Sequence, residues 1–207
     1  MYRYFIKRLF DILVSLIALP FIMIIMIPVS IAIKLEDRGP IFYNAKRIGK
    51  DKLNFTMYKF RSMKVNAPDI RNEDGTTFNS DNDTRVTKVG KFLRKTSIDE
   101  LPQILNVLKG DMSFIGPRPS PLGDKSIYPE EFFRKFEVRP GITGYNQATV
   151  RNNALMEERI KNDSFYVDNI SFIVDLKILI MTVVSVLQSK NINRNKDEER
   201  LGKANNE

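Results

Sequence analysis

Two adjacent carboxylates, Asp99 and Glu100, stand where residues 95–103, KTSIDELPQ, predict the start of a helix. The simplest interpretation is structural, since Ser97 and Glu100 fit the S-x-x-E capping box and Pro102 suits a first helical turn. A chemical interpretation fits the same place, because the N–H groups and dipole of a helix start keep a carboxylate ionised and hold phosphoryl oxygens. An ionised carboxylate can act as a nucleophile, and a neighbouring one can bind Mg²⁺. The two roles are compatible.

The composition limits the chemistry that these carboxylates could join. The 207 residues contain no Cys and no His, which excludes thiol nucleophiles, disulfides, zinc sites with N or S ligands and Ser-His-Asp triads. Catalysis would use carboxylates, Lys, Arg, Tyr, Ser or Thr, and a metal would be held by oxygen ligands. The formal net charge of +8 suits a phosphorylated substrate, an anionic lipid or a nucleic acid.

Basic side chains beside turns and element ends are the second chemical feature. A charge on a regular helix face is usually solvated, whereas a side chain at a rigid turn can be aimed at a ligand. Arginine suits phosphate because its planar guanidinium makes paired hydrogen bonds. We therefore favour an anion-binding site drawn from Lys59, Arg61, Arg94, Arg118, Arg139 and Arg151.

An apolar stretch without charges, residues 12–33, predicts a membrane segment. At about 1.5 Å per residue it is long enough to cross a hydrocarbon core of about 30 Å. Positive charge lies on both sides, so the positive-inside rule gives no orientation. Pro20 and Pro28 favour a kink that would let the helix return to the same side, but a tilted span tolerates prolines too. On the residues alone, a single span is favoured.

The rest of the chain predicts a mainly α fold with a small β-hairpin. Strands are predicted at 41–43 and 55–58 with a turn near Gly49 between them. Helices are predicted at 89–94, 99–108, 130–136, 155–166 and 170–187. The last of these is strongly apolar but contains Asp175 and Lys177, which is typical of either an amphipathic interfacial helix or a core helix.

Two other functions stay open on the residues alone. Asp81 and Asp83 could form the D-x-D metal pair of a glycosyltransferase that makes no covalent intermediate and releases UDP. A membrane-anchored basic protein could instead bind anionic lipid or nucleic acid without turnover. The aromatic residues follow apolar segments and do not alternate with a basic stripe, which disfavours nucleic acid.

Longer motifs recur in a fixed order along residues 7–187. They are KRLFD at 7–11, YKFRSM at 58–63, RKTSIDELPQ at 94–103, NVLKGDMS at 106–113, GPRP at 116–119 and VRPGITG at 138–144. Through them the chain resembles the bacterial sugar transferases, small monotopic phosphoglycosyl transferases. The resemblance implies transfer of a sugar-1-phosphate from a UDP-sugar to undecaprenyl phosphate with release of UMP. Such a step begins a capsule, O-antigen, exopolysaccharide or glycoprotein glycan.

The resemblance also implies roles for residues. Asp99 would attack the β-phosphate and form a phosphosugar–aspartate intermediate, and Glu100 would hold Mg²⁺. The basic residues would bind phosphate or uridine: Lys59, Arg61, Arg94, Arg118, Arg139 and Arg151. The implied partners are the UDP-sugar, undecaprenyl phosphate and membrane lipid, without nucleic acid, and a homodimer is an allowed assembly.

The implied architecture is an N-terminal re-entrant membrane helix at 1–38, a membrane-associated cytoplasmic α/β catalytic domain at 39–190 and a polar mobile tail at 191–207, on the bacterial inner membrane. Two stretches depart from the family pattern. Met23-Ile24 stand where the family has the Ser-Pro pair that breaks the helix, and Thr149-Val150 stand where Asn-Gly is common. Because the second departure lies near the presumed substrate site, no sugar preference is carried over.

Overall fold

One long apolar helix opens the chain in a computed structural model, which describes residues 1–70, 78, 80, 83–123, 128–150 and 155–187. A π-helical turn at Tyr2–Ile6 continues directly into helix α1, Lys7–Asp37, which contains Pro20 and Pro28. Among the described residues, Tyr2–Asp37 is the one helical stretch long and apolar enough to cross a membrane. The prediction of an apolar helix over residues 12–33 is therefore confirmed.

Five short strands follow in chain order: β1 (Ala45–Ile48), β2 (Asn54–Met57), β3 (Ser113–Ile115), β4 (Ser120–Pro121) and β5 (Gly141–Thr143), as far as the described residues go. Strands β1 and β2 form an antiparallel hairpin, and β4 pairs with the other edge of β1. Strands β3 and β5 pair in parallel. The predicted hairpin is confirmed, but its first strand lies at 45–48 and not at 41–43. Phe42 instead forms an isolated bridge with Phe60.

The remaining helices are α2 (Lys88–Thr96), α3 (Ile104–Lys109), α4 (Tyr145–Thr149), α5 (Met156–Asp168) and α6 (Phe172–Leu187), with 3₁₀ helices at Lys50–Lys52, Ile98–Gln103 and Glu130–Glu137. The helices predicted at 89–94, 155–166 and 170–187 are confirmed. The one predicted at 99–108 is divided into the 3₁₀ helix Ile98–Gln103 and α3. The predicted tail, residues 191–207, lies outside the described residues.

The capping box predicted at Ser97 is wrong. Ser97 ends α2 in the left-handed conformation, with a φ of 59°, and its side chain caps nothing. An N-cap needs extended backbone, so one residue cannot close α2 in this way and also cap the next helix. Helix α2 does have a side-chain N-cap at its other end. Thr87 Oγ1 accepts a hydrogen bond from Gly90 N at 2.9 Å.

The first turns of α1 are attached to the globular part by polar contacts. Arg8 donates to the carbonyl oxygens of Val107 and Leu108 at 2.5 and 2.9 Å, where α3 leaves carbonyls without helical partners. The buried carboxylate of Asp11 accepts from Ser113 Oγ at 3.0 Å and from Phe114 N at 3.1 Å. The 7–11 motif therefore joins α1 to α3 and β3.

The last turns of α1 are attached to the same globular part. Ile33 is buried in a cluster with Phe60 and Leu93. The carboxylate of Glu36 accepts from Lys88 N at 2.6 Å and from Val89 N at 3.1 Å, which are N–H groups at the start of α2. Both ends of α1 thus contact one domain. Apolar side chains between them are exposed, including Leu16, Ile17, Phe21, Met23, Ile24 and Ile27.

Helix α6 has features of both a core helix and an interfacial helix, the two alternatives that the sequence left open. Ile178 is buried in a core cluster with Ile115 and Tyr166. Asp175 is buried as well, and its carboxylate accepts hydrogen bonds from Tyr2 at 2.7 Å, Lys7 at 2.5 Å and Tyr166 at 2.8 Å. The opposite face leaves a row of apolar side chains exposed: Phe172, Ile173, Leu176, Leu179, Ile180, Val183 and Val184.

Candidate active site

The two carboxylates singled out from the sequence share one ammonium group. Lys59 Nζ lies 3.0 Å from Asp99 Oδ2 and 3.0 Å from Glu100 Oε1. Asp99 is 3% exposed, and the side chain of Lys59 is 18% exposed. Asp99 and Glu100 are called the dyad below. The predicted carboxylate pair and one predicted basic residue therefore form a single, largely desolvated cluster.

Backbone contacts set the geometry of this cluster. Lys59 lies two residues beyond the end of β2, and the next residue, Phe60, donates its N–H to the carbonyl oxygen of Asp99 at 2.9 Å. On the dyad side, Glu100 N donates to Ser97 O at 3.2 Å and so tightens the turn that follows α2. The extended segment and the 3₁₀ helix are thus held together at the point where their charged side chains meet.

Two arginines complete the basic side of the cluster. Arg94 donates from Nε to Ser62 Oγ at 3.0 Å and is close enough to Asp99 for their charges to interact. Arg118 lies at the edge, with one guanidinium nitrogen 3.9 Å from Glu100 Oε1 and its side chain 53% exposed. Three cations surround two carboxylates, which gives the cluster a formal charge of +1. Such a surplus favours an incoming anion.

Close backbone packing positions Arg118. Strands β3 and β5 bring Gly116 against Gly141, where a Cβ added to Gly141 would lie 2.1 Å from Gly116 N. Gly116 N donates to Thr143 O at 2.9 Å, and Gly141 N donates to Pro117 O at 3.0 Å. The GPRP and RPGITG motifs therefore form one packed unit, from which Arg118 extends towards the dyad.

The pKa values of the cluster follow from burial and charge together. Burial raises the pKa of the Asp99 carboxyl; the charge on Lys59 opposes this shift, and the charge on Glu100 adds to it. Burial alone would lower the pKa of the Lys59 ammonium, but the facing carboxylates outweigh it and raise that pKa. Burial lowers the pKa of Arg94, which nevertheless stays charged because arginine deprotonates only far above neutral pH.

The other three predicted basic residues differ in position. Arg61 is buried and makes a bidentate pair with Asp37 at the end of α1, and its Nε donates to Pro40 O at 2.6 Å. Arg139 donates from Nε to Gly110 O at 2.8 Å, just after the end of α3. Arg151 lies outside the described residues. The contacts of Arg61 and Arg139 stabilise the connections around the site.

The dyad fits a magnesium ion only together with a ligand. Within the described ranges, no three or more His, Cys, Asp and Glu side chains are grouped so that they could hold a metal. Mg²⁺ usually takes one or two carboxylates and completes its shell with water and substrate phosphates. Glu100, with Asp99 beside it, has the oxygen donors for such a site.

The rival D-x-D metal pair fits less well. Asp81 lies outside the described residues. Asp83 is buried, and both of its carboxylate oxygens accept hydrogen bonds from the guanidinium of Arg85, at 2.9 and 2.7 Å. The bond from Arg85 also lowers the pKa of Asp83. Asp83 is thus held in an internal ion pair.

Two polar residues of the site carried no separate prediction. Ser62 accepts the hydrogen bond from Arg94, and Asn106 is fully buried in α3. Asn106 could have been noticed in the sequence, because its amide side chain lies between Leu105 and Val107 in a predicted apolar helix. Leu105, which the helical pattern assigned to the apolar face, is 41% exposed.

A family model described as "Bacterial sugar transferase" matches residues 2–189. The chain belongs to the bacterial sugar transferase family. This sugar transferase is 42% identical over 186 residues to a Bacillus subtilis (strain 168) protein named "Uncharacterized sugar transferase EpsL", covering 90% of this chain and 89% of that one.

Two longer relatives have names that state an activity. The Aeromonas hydrophila "UDP-N-acetylgalactosamine-undecaprenyl-phosphate N-acetylgalactosaminephosphotransferase" is 40% identical over 88% of this chain. The Xanthomonas campestris pv. campestris "UDP-glucose:undecaprenyl-phosphate glucose-1-phosphate transferase" is 37% identical over 89% of this chain. The sugar transferase spans 44% and 39% of their lengths, respectively.

Proposed function

We propose that this sugar transferase moves a sugar-1-phosphate from a UDP-sugar to undecaprenyl phosphate and releases UMP. The observation that carries the proposal is the dyad of a buried Asp99 and a partly buried Glu100, with Lys59 at 3.0 Å from each carboxylate. It occurs in a family with relatives whose names state the transfer of a sugar phosphate to this lipid. The product lipid would begin a bacterial polysaccharide, such as a capsule, an O-antigen, an exopolysaccharide or the glycan of a glycoprotein.

Asp99 is the proposed nucleophile. One carboxylate oxygen attacks the β-phosphorus of the UDP-sugar, and the bond from that phosphorus to the bridging oxygen breaks. UMP departs with the bonding electron pair, and the sugar phosphate stays attached to Asp99 as a mixed anhydride. A phosphate oxygen of undecaprenyl phosphate then attacks the same phosphorus, which restores the Asp99 carboxylate and forms the lipid diphosphate-sugar.

The basic residues supply the charge stabilisation that phosphoryl transfer requires. Arg118 is half-exposed at the edge of the cluster, so it can meet the diphosphate first. Lys59 pairs with both carboxylates of the dyad and opposes the rise that burial gives the pKa of Asp99, which favours the ionised nucleophile. A donor bound at Asp99 would bring its phosphoryl oxygens, on which charge develops, to the same ammonium group. Arg94, fixed by Ser62, keeps a second positive charge near Asp99.

Magnesium is proposed as the cofactor, with Glu100 as its ligand on the protein. When bound, the ion would neutralise charge on the donor's diphosphate. Glu100 is suited to this role because it is less buried than Asp99 and sits between Lys59 and Arg118.

We propose further that α1 is re-entrant and that the catalytic domain lies on the cytoplasmic face of the inner membrane. A straight α1 of 31 residues would be about 46 Å long, so a spanning helix would have its ends on opposite sides of the bilayer. Asp11, near one end, and Glu36, near the other, both bind the same domain. A helix that enters one leaflet and returns accounts for both the length of α1 and the attachment of its two ends to one domain.

Helix α6 is proposed to lie at the interface beside α1. The ring of Phe172, in the exposed apolar row of α6, lies 6.2 Å from that of Tyr2 and 5.9 Å from that of Phe10. The apolar row is therefore continuous with the start of the α1 segment. This arrangement would place the dyad near lipid headgroups, where the phosphate of the acceptor lies.

Cysteine labelling tests this topology, because the chain has no native Cys. We expect Tyr4→Cys and Leu35→Cys, both at exposed positions, to resist an impermeant maleimide in intact cells and to react after lysis. Lys109→Cys, on the exposed surface of the domain, is the matched control for the cytoplasmic side. Labelling of one of these two positions, but not the other, from outside intact cells would establish a single span and reject re-entry.

UMP release tests the reaction. Purified protein in detergent is incubated with undecaprenyl phosphate, Mg²⁺ and a panel of UDP-sugars, and the nucleotide product is identified. We expect UMP for at least one sugar, with turnover that requires both the lipid and Mg²⁺. UDP in place of UMP would favour the rival glycosyltransferase, and salt-sensitive lipid binding without any nucleotide product would favour the non-enzymatic anchor.

A further inference from the structure

Asn106 has no solvent exposure and lies in α3, directly after the 3₁₀ helix that holds the dyad. Its Oδ1 accepts from Tyr58 N at 2.9 Å, and its Nδ2 donates to Thr56 O at 2.7 Å. An adjacent strand would offer the same acceptor and donor to the end of β2. The side-chain amide therefore takes the place of a strand partner at Tyr58, the residue before Lys59.

The orientation of this amide is fixed by a third contact. Asn106 Nδ2 also donates to Asp111 Oδ2 at 3.2 Å. A flipped amide would turn its oxygen towards the carbonyl of Thr56 and the carboxylate of Asp111, and its NH₂ towards the N–H of Tyr58. All three partners are satisfied in one orientation alone, so the amide holds the backbone of residues 56–58 at a defined distance from α3.

The residues on either side of Lys59 are both hydrogen-bonded to the segment of residues 98–109. On its N-terminal side, Tyr58 N is held by Asn106, and on its C-terminal side, Phe60 N is held by the carbonyl of Asp99 at 2.9 Å. Both partners belong to the stretch that contains the dyad. The ammonium group of Lys59 lies at the end of a flexible side chain, so the place of its Cα decides whether it reaches both carboxylates.

We propose that Asn106 is a positioning residue, which sets the backbone of Lys59 so that its ammonium group bridges Asp99 and Glu100. This inference deepens the proposed function and rests on it for the catalytic role of the dyad. The alternative is a purely structural role, in which Asn106 only satisfies buried backbone groups of β2. Only the positioning role predicts that loss of the Asn106 amide separates the Lys59 ammonium group from the two carboxylates.

Chemical labelling reads the position of Lys59 without any need for turnover. The full-length protein in detergent is treated briefly with an amine-reactive ester, and the extent of modification of each lysine is followed by peptide mass spectrometry. In the wild type, Lys59 should react slowly because it is desolvated and paired. In Asn106→Ala, we expect the rate at Lys59 to rise about 10-fold, as for a group that loses its ion-pair partners.

Asn146→Ala is the matched control. Asn146 is also a buried asparagine, and its Nδ2 donates to Arg159 O at 3.1 Å and to Asp163 Oδ1 at 2.7 Å, away from the dyad. This variant should lower the melting temperature by a similar amount and leave the labelling rate of Lys59 unchanged. Should Asn106→Ala fail to fold, Asp111→Ala replaces it in both the labelling and the kinetic measurements. This variant removes the third contact of the amide at a less buried position.

The kinetic arm is a double-mutant cycle with Lys59→Met. Asn106→Ala alone should lower kcat/KM by about 10- to 100-fold, the range for a lost supporting contact away from the chemistry. In the Lys59→Met background, the added loss should stay within about 2-fold, because the residue that Asn106 positions is already gone.

Two results would overturn the inference: an unchanged labelling rate at Lys59 in both Asn106→Ala and Asp111→Ala, or losses that multiply in the cycle as for independent sites. Absence of UMP release from the wild type would reject the proposed function instead. In that case the labelling arm still decides whether Asn106 positions Lys59.

Discussion

Asp99→Asn is expected to abolish UMP release, with a loss of at least about 10⁴-fold in kcat, the scale for removal of a catalytic nucleophile. The amide has nearly the same shape as the carboxylate but carries no charge and cannot form the anhydride. The fold should persist, because Lys59 keeps Glu100 as an ionic partner and Phe60 N still binds the backbone carbonyl at position 99. UMP release and the melting temperature are the two measurements.

Intact-protein mass spectrometry gives this prediction a second measurement. With the UDP-sugar and Mg²⁺ but no acceptor lipid, the wild type should gain the mass of one sugar phosphate, and Asp99→Asn should not. Asp168→Asn is the control, since Asp168 is exposed and pairs with Arg134 on the surface. Turnover near the wild-type rate in Asp99→Asn, or a sugar phosphate on another residue, would show that Asp99 is not the nucleophile.

Lys59→Met is expected to lower kcat/KM by about 10²- to 10³-fold, as when a donor to developing charge is removed. It should also move the acid limb of the pH profile upward. Burial raises the pKa of Asp99, and Lys59 opposes that shift. The reaction requires the carboxylate, so activity is lost as the pH falls through this pKa. Without Lys59 the pKa rises further, and activity is lost at a higher pH.

The measurement is kcat/KM as a function of pH for four proteins: the wild type, Lys59→Met, Lys59→Arg and Lys135→Met. In the wild type, the acid limb should already lie above about 3.9, the ordinary value for aspartate. Lys59→Arg keeps the charge and should return the limb towards its wild-type position. Lys135→Met is the matched control, because Lys135 forms a comparably buried pair with Asp163, 2.9 Å away, outside the dyad. An acid limb that stays in place in Lys59→Met would contradict the role given to this lysine.

Sequence reasoning found the dyad because its residue types, spacing and surrounding motifs are local features. It did not find the shared contact with Lys59, since that contact depends on how a segment after β2 meets residues about 40 positions later. Lys59 and Arg61 look equivalent in the sequence. Tertiary structure separates them, because the end of α1 brings Asp37 to Arg61.

The differences in secondary structure have a similar cause. Residues 41–43 are rich in β-forming types, and Phe42 does stack on Phe60 with ring centroids 5.4 Å apart. The strand ladder nevertheless forms at Ala45–Ile48, where β2 and β4 supply backbone partners on both edges. At Ser97, the local pattern fitted a cap, but the need to close α2 determined the backbone conformation. Propensity identified extended and helical residues, and tertiary partners decided their bounds.

The cluster around Asp175 has a consequence for the order of biosynthesis. Lys7, at the start of α1, is bonded to a residue 168 positions later in the chain. A ribosome adds residues from the N-terminus, so α1 emerges long before Asp175 has been made. The contacts of Tyr2 and Lys7 with Asp175 therefore form after α1 itself has been synthesised. The attachment of α1 to α6 is one of the late events in assembly, completed only when α6 docks.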